Sequence, residues 1–219
     1  MIKETLRTYR SSQKMAFSTH IDAEYIQELE ELVARSTIIH VDEILRETTL
    51  QKAHIYCIIH HLSAQQYGPL LEKYIRIKYK FVKNTASGCN GDCSKNNKNA
   101  ELKASLGGVK HNKFNWVQLR VSHDIQYYIL TAYHLTIENV KTGGELYVFR
   151  VPKDDMLPLI ANYGGYAHGT NKEHGPITIA DLKDEKNKKE YALRPSYGNK
   201  CWLDIMKFRV NGSTEELVL

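Results

Sequence analysis

The sequence predicts an α/β fold, in which a central mixed β-sheet is flanked by helices and preceded by an N-terminal helical lobe. Three observations lead to this class. Apolar residues recur at helical spacing within residues 1–63. Four later runs are short and rich in β-branched and aromatic residues, as strands are. With 219 residues and 42% hydrophobic content, the chain can form one globular core with a small lobe.

The helical lobe is predicted over residues 1–63. Residues 22–33 place four apolar side chains on one helix face: Ile26, Leu29, Leu32 and Val33. Two more short helices are predicted at 41–45 and 50–62. Because the lobe carries no catalytic pattern, we interpret it as an element for packing, dimerisation or specificity.

A core domain is predicted over residues 64–165. It begins with a helix at 65–79, and the apolar stripe of that helix predicts its inner face: Leu70, Leu71, Tyr74, Ile77 and Lys78. Glu72 lies to one side of the stripe. The β-branched and aromatic runs that follow predict four strands: 100–105, 115–121, 127–132 and 145–151.

The core is predicted to end with a helix that Pro152 opens and Gly164-Gly165 stops. Residues 166–219 are interpreted as a loop-rich C-terminal extension, with a last strand over 201–210. A glycine-flanked loop in this extension presents His168 as a candidate binding residue.

Positive charge is concentrated in one part of the chain. Residues 71–120 hold eleven Lys and Arg and three acids, a net charge of +8, whereas the whole chain carries +5. A basic block in an otherwise near-neutral protein is typical of a surface that binds a polyanion. The three acids inside the block are Glu72, Asp92 and Glu101.

Asp92, Glu101 and Lys103 form the candidate catalytic group. Alternate residues of a strand share a face, so Glu101 and Lys103 are predicted to point the same way. The polar segment 93–99 is typical of a hairpin turn, which would bring Asp92 beside Glu101. Two carboxylates can hold Mg²⁺ beside a substrate phosphate, and a nearby Lys can orient water or stabilise developing charge. This chemistry hydrolyses phosphodiester bonds.

The stretch Gly91-Asp92 … Glu101-Leu-Lys103-Ala-Ser resembles the signature of the PD-(D/E)XK nuclease superfamily, and type II restriction endonucleases in particular. The resemblance covers about residues 66–151, with Gly91 in place of the usual proline. It implies a restriction-endonuclease-like core in which Asp92 and Glu101 bind Mg²⁺ and Lys103 orients or activates water. An acid from the preceding helix often joins the metal site in this family, and Glu72 fits that place.

The resemblance further implies a sequence-specific endonuclease for double-stranded DNA, acting as a homodimer on palindromes. Its counterpart in restriction–modification would be a DNA methyltransferase acting on the same site, in the bacterial or archaeal cytoplasm. The candidate DNA contacts are basic or polar residues after the catalytic strand: Lys110, His111, Lys113, Gln118, Arg120 and His168. The Gln-x-x-x-Tyr pattern of the exonuclease branch is absent, since Ser122 stands four residues after Gln118.

Three alternatives stay open. The same core could serve DNA repair or structure-specific cleavage. A DNA-binding protein without catalysis would instead use Glu101 and Lys103 as a surface salt bridge. A structural zinc site needs four ligands, whereas Cys89, Cys93 and His111 supply three.

The chain carries no sign of secretion or of a membrane span. Its polar start, MIKETLRTYRSS, lacks an apolar signal region. The stretch 54–71 has no charged residue but contains three His, two Gln and a Pro, so it does not predict a membrane helix. Four Cys without a paired pattern favour a reduced cytoplasmic setting.

Overall fold

The computed structural model describes residues 64–85, 89–107, 112–135, 139 and 144–211, and the structural statements below concern these residues. The helical lobe predicted over residues 1–63 lies outside them, and so do Lys110 and His111.

The described chain is an α/β structure with helices and strands interspersed. Its helices are α1 (Ala64–Tyr79), α2 (Lys153–Tyr163), α3 (Asn171–His174), α4 (Ile179–Lys183) and α5 (Lys200–Met206). Its strands are β1 (Val82–Lys83), β2 (Cys93–Lys95), β3 (Lys98–Gly107), β4 (Trp116–Arg120), β5 (Tyr127–His134), β6 (Glu145–Pro152), β7 (Gly164–Tyr166) and β8 (Glu190–Leu193). None of these helices has both the length and the apolar character that crossing a membrane requires.

The larger sheet has five strands in the order β1-β2-β3-β5-β6. Strands β3 and β5 run parallel, from the pair Ala100–Tyr127 to the pair Gly107–His134. The other neighbouring strands are antiparallel. The central sheet is therefore mixed, as the sequence predicts, and all four predicted strands of the core are present.

Strands β2 and β3 form a tight hairpin. Its turn residues, Asn96 and Asn97, have φ angles of 52° and 59°. Two successive residues with positive φ are typical of the type I′ turn, whose twist matches that of the paired strands. Strand β2 pairs with β3 only as far as Ala100, so the β3 edge beyond Ala100 meets no strand among the residues described. We call this segment, 101–107, the free edge of β3.

A second sheet contains three antiparallel strands in the order β4-β8-β7. A large apolar cluster joins it to β5, β6, α2 and α5. Its bulkiest fully buried members are aromatic: Phe114, Trp116, Tyr128, Phe149 and Tyr191. This cluster fixes β4 and the loop that follows β4, and that loop contains His123.

A second apolar cluster joins α1 to the larger sheet. From α1 it includes Ile75 and Tyr79, which pack with Leu102 of β3 and Ile129 of β5. The inner face of α1 is therefore formed by residues four apart, including Leu71. The predicted stripe was wrong at Ile77, whose exposed fraction is 47%.

The strand predicted over 201–210 is also wrong, since α5 occupies most of it. Asn199 caps α5 by accepting a hydrogen bond from the backbone N–H of Trp202 at 2.9 Å. Cys201, Trp202 and Ile205 are buried at helical spacing, so burial of one helix face decides the conformation. The loop-rich extension also contains β8, which the sequence analysis did not predict.

Candidate active site

Strand β3 holds Glu101 and Lys103 on the same face, which confirms the predicted alternation. The Nζ atom of Lys103 lies 2.8 Å from Oε1 of Glu101. The Glu101 side chain is fully buried, and the Lys103 side chain has an exposed fraction of 15%. The pair is therefore not a solvent-exposed salt bridge on the sheet surface.

The β2–β3 hairpin brings Asp92 to the free edge of β3, as predicted. The Asp92 backbone N–H donates to the carbonyl of Ala100 at 3.0 Å. Its side-chain Oδ2 accepts the backbone N–H of Leu102 at 3.0 Å and lies 3.4 Å from Nζ of Lys103. One ammonium group thus contacts both candidate carboxylates, and Asp92 is the more exposed of the two at 42%.

Glu72 on α1 completes the acidic group. Its carboxylate accepts a hydrogen bond from the backbone N–H of Ala104, the next amide on the same side of β3 after that of Leu102. The pKa of Glu72 is raised to about 7. Burial is the main cause, the charges of Asp92 and Glu101 act in the same direction, and Lys103 opposes them. Glu72 therefore exchanges its proton near neutral pH.

Lys103 is charged in this arrangement. Burial alone lowers the pKa of its ammonium, but the carboxylates of Glu101 and Asp92 outweigh burial and the pKa is raised. At neutral pH the side chain is consequently a cation that can orient water or stabilise negative charge. Two carboxylates contact this one ammonium and Glu72 also acts on it, so the acids outnumber the ammonium whether or not Glu72 is ionised.

The sequence analysis missed His123, which contacts the site from the loop after β4. Its Nδ1 lies 3.1 Å from Oε2 of Glu101, and the ring is mostly buried. Twenty-two residues separate the two in sequence, and the contact depends on how β4 packs. The only local signal is a histidine between two predicted strands of the core, and such a signal does not specify a partner.

The donors at this site fit a hard divalent cation. Oε1 of Glu101 is fully buried, and the partner that the described residues show for it is the Lys103 ammonium at 2.8 Å. Carboxylate oxygens are the ligands that Mg²⁺ prefers, and Mg²⁺ is commonly held by one or two carboxylates together with water and substrate phosphate. Within the described ranges, no group of three or more His, Cys, Asp or Glu side chains is arranged to hold a metal ion by itself.

The candidate zinc ligands are divided between different environments. Cys93 is buried in β2, where burial raises the pKa of its thiol to about 12, whereas Cys89 is exposed. The third candidate, His111, lies outside the described residues.

Two candidate DNA contacts meet at one acid. Arg120 Nε donates to Oε1 of Glu190 on β8 at 2.7 Å. His168, with its side chain well exposed, places Nε2 3.5 Å from Oε2 of the same carboxylate. Arg120 and His168 are therefore neighbours although 48 positions separate them in the sequence. Glu190, which the sequence analysis did not single out, joins them.

The other two described candidates, Lys113 and Gln118, are exposed. Lys113, which lies between β3 and β4 in the chain, forms an isolated antiparallel β-bridge to Ser196. Gln118 has a φ of 58° and lies at a register shift between β4 and β8, where an extra residue bulges from the strand. Neither side chain is shown in contact with Asp92, Glu101 or Lys103.

Comparison with models of known families, with curated proteins and with solved structures found no match for this chain.

Proposed function

We propose that this chain is a Mg²⁺-dependent, sequence-specific endonuclease that hydrolyses phosphodiester bonds of double-stranded DNA. The observation that carries this proposal is the convergence of Asp92, Glu101 and Lys103 at the free edge of β3. The mixed sheet, with the hairpin before β3 and the acid-bearing helix α1 beside it, supports a restriction-endonuclease-like core. In that setting the protein would act as a homodimer in a bacterial or archaeal cytoplasm, with a DNA methyltransferase protecting the same sequence.

Burial of the site supports a functional role over a scaffold role. Removing a carboxylate from water costs several kcal/mol unless it is fully paired. Glu101 is fully buried and shares its ammonium partner with Asp92, and the charges of both acids raise the pKa of Glu72. A group of acids that exceeds its cations stores an unfavourable charge, and a bound divalent cation relieves it. An acid whose pKa is raised as strongly as that of Glu72 is typical of functional sites.

The residues then have distinct roles. Asp92 and Glu101 would hold the cation, and Glu72 would supply a third carboxylate. A bound Mg²⁺ polarises the phosphate and lowers the pKa of a coordinated water. Lys103, kept charged by its neighbours, orients the attacking water and stabilises the negative charge that develops on phosphate oxygens. Arg120, Lys113 and His168 contact the DNA backbone, and Gln118 lies near a base edge. Lys110 and His111, which lie outside the described residues, are further candidate contacts.

A digest tests the proposal directly. Purified protein is incubated with unmethylated phage DNA in Mg²⁺ or in EDTA, beside Asp92→Asn and the control Asp155→Asn, an exposed acid on α2. Discrete bands that require Mg²⁺ and are lost only in Asp92→Asn establish a site-specific endonuclease. A smear with the same requirements indicates repair or non-specific cleavage. Intact DNA in a salt-sensitive complex contradicts the proposal and leaves a DNA-binding protein.

A further inference from the structure

We propose that His123 is a positioning residue for Glu101, an inference that rests on the proposed nuclease function. It fixes the Glu101 carboxylate so that one oxygen is held by the protein and the other is directed to a cation. His123 does not itself touch the cation or the DNA in this proposal.

The two oxygens of Glu101 have different partners. Oε2 lies 3.1 Å from Nδ1 of His123, whereas Oε1 lies 2.8 Å from Nζ of Lys103. With Nδ1 protonated, the imidazole donates to an ionised carboxylate, a hydrogen bond of the stronger, charge-assisted kind. Rotation of the carboxylate about its last bond would break this hydrogen bond. His123 therefore fixes the plane of the Glu101 carboxylate, and with it the direction in which the oxygen beside Lys103 faces a ligand.

The backbone around His123 is firmly held. Its N–H donates to the Arg120 carbonyl at 3.3 Å, and its own carbonyl accepts from Nζ of Lys153 at 2.6 Å. The next residue, Asp124, donates its N–H to the carbonyl of Cys89 at 2.8 Å. The loop after β4 is thus bound to α2 and to the segment before β2, so the imidazole is presented from a rigid support. Residues that orient metal ligands contribute about 10–100-fold to metal affinity or activity.

A purely structural role for His123 makes a different prediction. If the imidazole only satisfied a buried carboxylate, its loss would lower the melting temperature and leave cation binding unchanged. The positioning role requires a change in cation binding that a conservative replacement restores. Asn places its amide nitrogen near the position of Nδ1, whereas Gln places it near Nε2 and cannot donate to Glu101 from the same place.

The experiment compares His123→Asn, His123→Gln and His123→Ala with the wild type. The control is His174→Ala, an exposed histidine on α3 that belongs to neither the catalytic nor the DNA-binding group. Mn²⁺ binding is measured by calorimetry without DNA, and the Mg²⁺ concentration for half-maximal cleavage is measured separately. We expect both to weaken about 10–100-fold in His123→Ala and His123→Gln. His123→Asn should stay within about threefold of the wild type, and His174→Ala should be unchanged.

Equal Mn²⁺ affinity in the wild type and in His123→Gln would overturn the positioning role while leaving the nuclease proposal intact. Absence of both Mn²⁺ binding and cleavage in the wild type would overturn the nuclease proposal and this inference with it. If His123→Ala does not fold, the comparison of Asn with Gln still decides the question, because the two differ only in the reach of one amide.

Discussion

Asp92 accepts the backbone N–H of Leu102 at 3.0 Å, across the hairpin that joins β2 to β3. The same oxygen lies 3.4 Å from the Lys103 ammonium, so one carboxylate both ends the hairpin and faces the candidate site. The hydrogen bond that holds the Asp92 carboxylate against β3 therefore also places the first candidate acid beside Lys103. Variants at this carboxylate must preserve its hydrogen bond if they are to report on chemistry alone.

Asp92→Asn meets that requirement, because its amide oxygen can still accept from Leu102. We expect cleavage to fall by about 10²–10³-fold, since a charged ligand to the cation is lost. DNA affinity, measured by fluorescence anisotropy in EDTA, should be unchanged or higher because a charge that repels phosphate is removed. Asp155→Asn should behave as the wild type, and full cleavage by Asp92→Asn would contradict the assigned role.

Lys103→Met should destabilise the protein as well as abolish cleavage. Without the ammonium, Glu101 remains a buried charge, and breaking a buried pair costs about 3–5 kcal/mol. The double variant Glu101→Gln, Lys103→Met should recover most of the lost free energy of unfolding in urea. The comparison is Lys207→Met, which removes an exposed partner of Asp204 and should cost less than about 1 kcal/mol. Additive losses in the double variant would show that the pair is not coupled.

Glu72 should make stability depend on pH between about 4.5 and about 7. The pKa of Glu72 rises from its ordinary value of 4.5, which applies to the unfolded chain, to about 7 in the folded chain. The folded chain therefore binds the proton more tightly than the unfolded chain does. The stabilisation is present below 4.5 and is lost as the pH rises through 7. Glu72→Gln should therefore be more stable than the wild type by about 1–3 kcal/mol at pH 8 in EDTA, and nearly equal to it at acidic pH.

Urea unfolding at both pH values checks this expectation. The exposed Glu185→Gln serves as the control and should follow the wild type at each pH. A constant difference between Glu72→Gln and the wild type across this range would show that Glu72 does not titrate there.

Gly91 cannot be replaced without moving Asp92. Its φ is 67°, and a Cβ atom would lie 2.6 Å from the carbonyl oxygen of Ala100. Gly91→Ala should lose at least about 2 kcal/mol of stability and much of the cleavage activity. Gly91→Pro, which introduces the proline of the nuclease signature that this stretch resembles, should not fold because proline fixes φ near −65°.

Gly198 supplies the matched control for Gly91. It has a similar φ of 79°, but no atom lies within 4 Å of the added Cβ. Gly198→Ala should therefore lose only the backbone cost, about 1 kcal/mol, in a thermal unfolding experiment. Equal losses of stability in Gly91→Ala and Gly198→Ala would show that the close contacts around Gly91 do not account for its cost.

Glu190→Gln should strengthen DNA binding if Arg120 and His168 contact phosphates. The acid neutralises Arg120 at 2.7 Å, and its removal frees that charge for DNA. We expect several-fold tighter binding at low salt and a salt dependence steeper by about one unit of slope. Arg120→Ala should weaken DNA binding and make its salt dependence shallower. Unchanged affinity in both variants would show that Arg120 and His168 do not contact DNA.

The sequence predicted those parts of the site that depend on local rules. Strand alternation places Glu101 beside Lys103, and the Asn-rich turn returns the chain to Asp92. The contact of His123 with Glu101 depends on the pairing of β4 with β8, whose residues Arg120 and Glu190 are 70 positions apart. No local pattern specifies such a pairing.

The two errors in the fold have a common origin. Apolar residues in α1 support more than one stripe, and packing against β3 and β5 selects the one that contains Ile75 and Tyr79 rather than Ile77. The seven residues of α5 fit both strand and helix periodicity. The Asn199 cap and the buried Trp202 decide for the helix, and both depend on the surrounding structure.

The free edge of β3 has one more consequence, which concerns association between chains. An unpaired strand edge can pair with another copy and lead to aggregation. Here the carboxylates of Asp92 and Glu72 cover the amides of Leu102 and Ala104, and they place negative charge where a second strand would have to approach. The acids proposed for the metal site thus also oppose pairing of this edge with a strand of another chain. Replacing both with alanine should expose the amides to intermolecular pairing, so loss of activity in that variant would accompany loss of solubility.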